Sequence, residues 1–214
     1  MTNQTISLDQ LTGWLTRFSD LVTEHVSYLT ELDSAIGDAD HGSNMTRGMD
    51  AVIEKIQVTP TGTVDVLFKA VGMTLVTTVG GASGPLYGTF FLRIGATAGP
   101  VSTLDATGLA AAFRAGMDGV VARGKAEAGD KTMIDALGPA LDAFDAALEA
   151  SSDISSAALA AYSAAQTGRD ATEALLARKG RASYLGERSI GHIHPGAAST
   201  SLLFQALAET LTEE

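Results

Sequence analysis

The sequence predicts an all-α fold of about eight antiparallel helices joined by short loops, and three observations carry that prediction. Apolar residues recur at helical spacing through most of the chain, sustained alternation of the strand type is almost absent, and glycine-rich polar segments separate the periodic stretches. Leu8, Leu11, Leu15, Phe18, Val22 and Leu29 fall on one stripe of a first long helix. Ser7 and Gln10 offer a capping box at its start. Segments near 42–57 and 85–98 add two helices, with another between them on Val64, Leu67, Phe68, Val71 and Leu75. Leu109, Phe113, Met117 and Val120 mark the next. Three more follow: Met133, Ile134, Leu137, Leu141, Phe144 and Leu148; Ala158, Tyr162, Ala165, Ala171 and Leu175; and Leu202, Leu203, Leu207 and Leu211.

A chain of 214 residues fits one domain spanning 1–214, and its 45% hydrophobic and 18% charged residues suffice for a sizeable core. No internal repeat is present. The absence of cysteine excludes a disulfide framework and thiolate metal ligands. The N-terminal MTNQTISLDQL has neither a basic segment nor an apolar run of signal-peptide length, and the most apolar stretch, 84–99, is interrupted by Pro85 and Arg93. A cytoplasmic protein is expected. With 14 Lys+Arg against 25 Asp+Glu, the net charge of −11 opposes binding to nucleic acid or an anionic membrane.

Four loops carry the polar chemistry: 36–44, 79–85, 123–131 and 178–197. Loops held by a rigid scaffold are where functional groups concentrate. In the first, Asp33, Asp38 and Asp40 lie within eight residues, with Gly37 and Gly42 as helix breakers. Three converging carboxylates repel one another unless a hard cation neutralises them, and oxygen ligands select magnesium or calcium. The alternative is an exposed acidic loop capping the next helix. An EF-hand fails, because positions six and twelve would be Ser43 and Met49 rather than glycine and glutamate.

Gly80 to Gly84 before Pro85 suit a turn whose backbone N–H groups cradle phosphate, with close packing of small residues as the alternative. Gly119, Gly124 and Lys125 imitate a P-loop, but Ala126 supplies no hydroxyl and the preceding run is helical. Lys125 and Lys131 are expected as solvated loop residues or as anion-steering cations. His41 can donate to a phosphate beside a metal, whereas His25 is expected to be structural. His192 and His194 have ligand-like spacing in an irregular loop that does not favour zinc. Arg178, Lys179, Arg181 and Arg188 make 178–188 the most basic stretch; a cation-stabilised helix C-terminus accounts for the first two only. A nucleoside polyphosphate bridged to an acidic protein by divalent cations unites these features.

The segments GDADHGSNMTRG, GMTLVTTVGGASGPLYGTFF, RGKAEAGDKTMIDAL and ARKGRASYLGERSIGHIHPGA, in this order, resemble the L subunit of dihydroxyacetone kinase over nearly the whole chain. The resemblance implies an up-and-down barrel of eight helices with ADP or ATP at one end. It implies that Asp33, Asp38 and Asp40 hold two magnesium ions and that His41, Gly42, Ser43 and Asn44 line the phosphates. Ala82 and Ser83 would add backbone donors, Gly124 and Met133 would lie by the adenosine, and Arg181 would reach the phosphates. Pro195 and Gly196 would close the pocket. The family commonly has an acidic residue where this chain has His194, which leaves the backbone of His194 for that role.

The same resemblance implies phosphoryl transfer to dihydroxyacetone held by a separate K subunit, with Asp33, Asp38, Asp40, His41 and Arg181 in the catalytic set. ADP would be recharged in place by a phosphohistidine carrier, the M subunit of the phosphotransferase system. One competing expectation keeps the kinase but makes ATP an exchangeable substrate, with dihydroxyacetone or another ketose as acceptor. Another, of a different class, is a nucleotide-loaded sensor that binds a transcriptional regulator. Fatty-acid kinases share a related domain, but their partner regions are missing here. A homodimer is left open.

Overall fold

The computed structural model describes residues 5–59, 61–151 and 153–212; the first four residues of the N-terminal segment read above lie outside this set. Among the described residues are nine α-helices: α1 (Leu8–Glu24), α2 (Val26–Ile36), α3 (His41–Val58), α4 (Val64–Thr78), α5 (Ser83–Ala98), α6 (Ala106–Gly124), α7 (Ile134–Ser151), α8 (Ile154–Ala171) and α9 (Pro195–Thr212). Two short strands, β1 (Thr5–Ser7) and β2 (Thr103–Asp105), pair antiparallel with Ile6 opposite Leu104. Two 3₁₀ segments, Thr172–Ala174 and Arg181–Ser189, lie between α8 and α9. The all-α expectation holds, and among the described residues no helix is long and apolar enough to cross a membrane.

The first long helix is in fact two. His25 departs from helical geometry at φ −104°, ψ 14°, and its Nδ1 sits 2.9 Å from the Leu21 carbonyl, so the predicted stripe breaks between Val22 and Leu29. The helix start is as expected: the Ser7 hydroxyl accepts from Gln10 N–H at 3.2 Å and the Gln10 side chain accepts from Ser7 N–H at 2.8 Å.

One apolar cluster takes side chains from all nine α-helices. Trp14 is fully buried, and its indole N–H donates to the Leu203 carbonyl at 2.8 Å. Trp14, Phe68, Phe91, Phe113, Phe144 and Phe204 form a connected set of edge-on, tilted and stacked ring contacts with centroids 5.4 to 6.2 Å apart. α9 is buried along most of its length, from Pro195 to Leu211. Glycines let α4 and α5 approach closely: a Cβ on Gly72 would meet the Gly88 carbonyl at 2.7 Å and Leu92 Cγ at 2.6 Å. This scaffold gathers the N-termini of α3, α5, α7 and α9 at one cavity.

Candidate functional site

Asp33 occupies the last turn of α2 and is buried, while Asp38 is exposed and Asp40 half-buried just before α3. The loop between them is four residues, shorter than the sequence suggested, because His41 to Asn44 already belong to α3. Ala39 adopts the left-handed region at φ 61°, so the short turn brings both flanking aspartates back toward Asp33. One carboxylate oxygen from each of the three lies within 4.8 Å of the others. Asp33 Oδ2 accepts from the backbone N–H of Asp40 at 2.9 Å and of His41 at 3.1 Å. Gly37 and Gly42 are required here: a Cβ on Gly37 would collide with the Asp33 carboxylate, and one on Gly42 with Thr30 Oγ1 and the Val26 carbonyl. Arg181 pairs with Asp38 at 3.0 Å, in the open, where such a pair contributes little stability.

These groups border a cavity of about 530 Å³. Its walls include Asp33, Asp38, Asp40, His41, Asn44, Ala82, Ser83, Gly124, Met133, Arg181, His194, Pro195 and Gly196. Of the nucleotide-site residues expected from the sequence, only Gly42 and Ser43 stand off its surface. Gly42 is buried against α2, and Ser43 is exposed with its hydroxyl donating to the Asp40 carbonyl at 3.0 Å. No side chain caps the α5 N-terminus at Ala82 and Ser83, which leaves first-turn N–H groups facing the cavity. Four helix N-termini at one hollow place partial positive charge around it, an arrangement that favours an anion. Leu86, Val120 and Ile134 form an apolar part of the same wall. An anion with an apolar body fits this division.

Behind the wall runs a buried hydrogen-bonded chain that sequence reasoning missed. His41 Nδ1 is 3.2 Å from Ser83 Oγ, and His41 Nε2 is 2.9 Å from Ser199 Oγ. Tyr87 Oη lies 2.8 Å from Ser199 Oγ and 3.1 Å from Thr200 Oγ1. Burial drives His41 down to about 4 against the opposing pull of Asp33 and Asp40. Burial likewise pushes the Tyr87 phenol up to about 12. Both ring nitrogens of His41 are thus engaged within the protein, and Ser83 is the hydroxyl it holds at the cavity surface. Arg123 and Tyr184, also missed, stand on the rim; Tyr184 is 88% exposed. Both lie within segments that carry the family resemblance, but no feature of residue type or spacing singled them out.

Two expectations about basic and histidine residues need correction or refinement. Lys131 is no solvated loop residue: it is fully buried, and its ammonium donates to the carbonyls of Thr172 at 2.7 Å and Leu175 at 3.1 Å. Lys125, in contrast, is exposed at the C-cap of α6. His194 caps α9, its Nδ1 accepting from Ala197 N–H at 3.3 Å, while its own N–H donates to Thr172 Oγ1 at 2.9 Å. Desolvation first, with His41 and Lys131 adding positive field, holds His194 well below its ordinary value. Among the described residues the one metal-competent cluster is the aspartate triad, and neither His192 nor His194 joins it.

Fold and site together define an all-α domain with an acidic, oxygen-only cluster beside an anion-favouring cavity. The chain belongs to the DAK2 domain family, whose pattern matches residues 35–209. It is 46% identical over 203 residues to the PEP-dependent dihydroxyacetone kinase, ADP-binding subunit DhaL of Escherichia coli, covering 95% of this chain and 97% of that protein. It is 42% identical over 206 residues to the PTS-dependent counterpart of Lactococcus lactis, covering 96% and 99%. Among solved structures it resembles the dihydroxyacetone kinase of C. freundii in complex with AMP-PNP and Mg2+, with a TM-score of 0.73 and 27% identity, covering 96% of this chain and 34% of that one.

Proposed function

We propose that this chain is the nucleotide-binding subunit of a dihydroxyacetone kinase, passing phosphate from a magnesium-bound nucleotide to dihydroxyacetone held on a separate K subunit. The observation that carries this reading is the convergence of Asp33, Asp38 and Asp40 beside the cavity on which four helix N-termini meet, that of α5 without a side-chain cap. Three carboxylates with no nitrogen or sulfur donor fit magnesium, and we assign them two ions. Bound magnesium supplies charge neutralisation and polarises phosphate oxygens. The protein's part is positioning: His41 fixes the Ser83 hydroxyl, and the backbone of Ala82 and Ser83 at the start of α5 donates to phosphate. Asn44 lies on the same side. Arg181, on the cavity wall and paired with Asp38 at 3.0 Å, is the cation that would meet developing charge on the transferred group. Gly124, Met133, Pro195 and Gly196 take the nucleoside, with His194, whose backbone N–H and carbonyl are engaged by Thr172 and Ala198, holding the start of α9 beside them.

The relatives matched along nearly their whole length are named PEP-dependent or PTS-dependent, which supports recharging of bound ADP by a phosphohistidine carrier. A second reading draws on the 34% identity to an L-erythrulose 1-kinase of Mycolicibacterium smegmatis, of which this chain spans 35%: exchangeable ATP and another small ketose. The test is to purify the protein without added nucleotide, denature it with acid and quantify adenine nucleotide. Near one ADP or ATP per chain is expected. An empty protein that binds Mg-ATP weakly and reversibly would shift the assignment to the exchangeable-substrate kinase.

A further inference from the structure

Lys131 is the buried charge that the mechanism above does not use. The residue is 0% exposed and takes φ 61°, a left-handed geometry unusual for a side chain of this size. Its ammonium reaches three carbonyl oxygens, those of Thr172 (2.7 Å), Leu175 (3.1 Å) and Glu173 (3.4 Å), all in the turn that ends α8. Among the described residues its partners are carbonyls rather than carboxylates, so its charge is solvated by the backbone of a distant segment.

That turn is connected onward. The Thr172 hydroxyl, the next atom group along, accepts the N–H of His194, and His194 in turn starts α9 at Pro195 and Gly196. On the other side, Lys131 is followed directly by Thr132 and Met133, which line the cavity. The two walls meet: a Cβ built on Gly196 would lie 3.7 Å from Met133 Cβ. The loop before Lys131 is tied to the same region by Arg178 N–H donating to the Asp130 carbonyl at 3.0 Å.

We infer that Lys131 is a positioning residue for nucleotide binding, its ammonium fastening the Met133 wall to the Pro195–Gly196 wall through Thr172 and His194. The inference rests on the nucleotide reading of the cavity and deepens it. Removing the ammonium frees the two walls to separate, so the nucleoside end of the pocket loses definition. The carboxylate end is built from α2, α3 and the turn between them and is untouched.

The test measures dissociation constants by calorimetry, well below the unfolding temperature, for ADP with magnesium and for inorganic pyrophosphate with magnesium. Lys131→Met is expected to weaken ADP at least tenfold and to leave pyrophosphate within twofold. Global destabilisation alone does not produce this split, since it changes how many molecules are folded and not the affinity of those that are. Should Lys131→Met fail to fold, Thr172→Val cuts the link to His194 while leaving the ammonium and its carbonyls in place, and a smaller weakening confined to ADP is expected. Unchanged ADP affinity in the folded variant, or equal weakening of both ligands, overturns the inference. A wild-type chain that binds neither ligand overturns the nucleotide reading itself, a result distinct from either variant outcome.

Discussion

The three aspartates do different work although they share one cluster. Asp33 is buried and satisfies two backbone N–H groups that open α3, whereas Asp38 is exposed and pairs with Arg181. A carboxylate bonded to buried N–H groups contributes about 1–3 kcal/mol, because its loss leaves those donors unpaired. An exposed one bonded to an arginine contributes less than about 1 kcal/mol. In metal-free buffer, Asp33→Ala should therefore lower the urea midpoint by an amount equivalent to about 2 kcal/mol. Asp38→Ala should leave it unchanged or raise it, since one like charge is removed from the cluster. Equal losses in the two variants would show that Asp33 has no special part in starting α3. The triad itself was legible in the sequence because charge chemistry needs only residue type and proximity. The difference in burial was not, because it depends on a four-residue turn whose left-handed Ala39 leaves no compositional mark.

At the scale of elements, a helix was expected over each of the nine helical segments, but α1 and α2 were merged into one. The break at His25 was hidden because the apolar stripe resumes at Leu29, and the departure lies in the His25 dihedrals while i→i−4 bonds from His25 N–H to Leu21 and from Leu29 N–H to His25 persist around it. Lys131 was misjudged for a related reason. A lysine in a glycine-rich polar loop looks solvated until the carbonyls that receive it, 41 and 44 residues further on, are brought alongside by the fold. The Ser83, His41, Ser199 and Tyr87 chain joins residues from three helices, and no local window contains it. The close approach of α4 and α5 gives a testable consequence. Gly72→Ala gains helix propensity but drives a methyl into Leu92 and the Gly88 carbonyl, for a net loss of about 1–2 kcal/mol. Gly13→Ala in α1, which meets only a Thr210 methyl at 3.4 Å, should be neutral or stabilising by up to about 1 kcal/mol. Chemical denaturation of the pair would detect the difference; the same sign in both would mean that the α4–α5 contact yields without cost.

For the molecule as a whole, the decisive quantity is charge. A protein of net charge −11 presents three aspartates to a ligand that is itself anionic, and the helix N-termini with Arg123, Lys179 and Arg181 oppose that repulsion. On the proposed metal assignment, Asp40 would attract the ligand through magnesium when the metal is present and repel it when the metal is removed. The sign of its contribution must therefore invert. Asp40→Asn should weaken ADP binding at least about tenfold in excess magnesium, a loss of about 1.4 kcal/mol or more. In excess chelator it should bind ADP as tightly as the wild type or more tightly, although both will bind more weakly than the wild type does with metal. The backbone N–H of residue 40 donates to Asp33 whichever side chain it carries, so the substitution leaves the start of α3 intact. Fluorescence or calorimetric titration of ADP into the two proteins in the two buffers completes a thermodynamic cycle whose coupling term isolates the metal-mediated part. A variant that is weaker by the same factor in both buffers would mean that Asp40 acts by shaping the pocket, and the metal assignment at that position would fall.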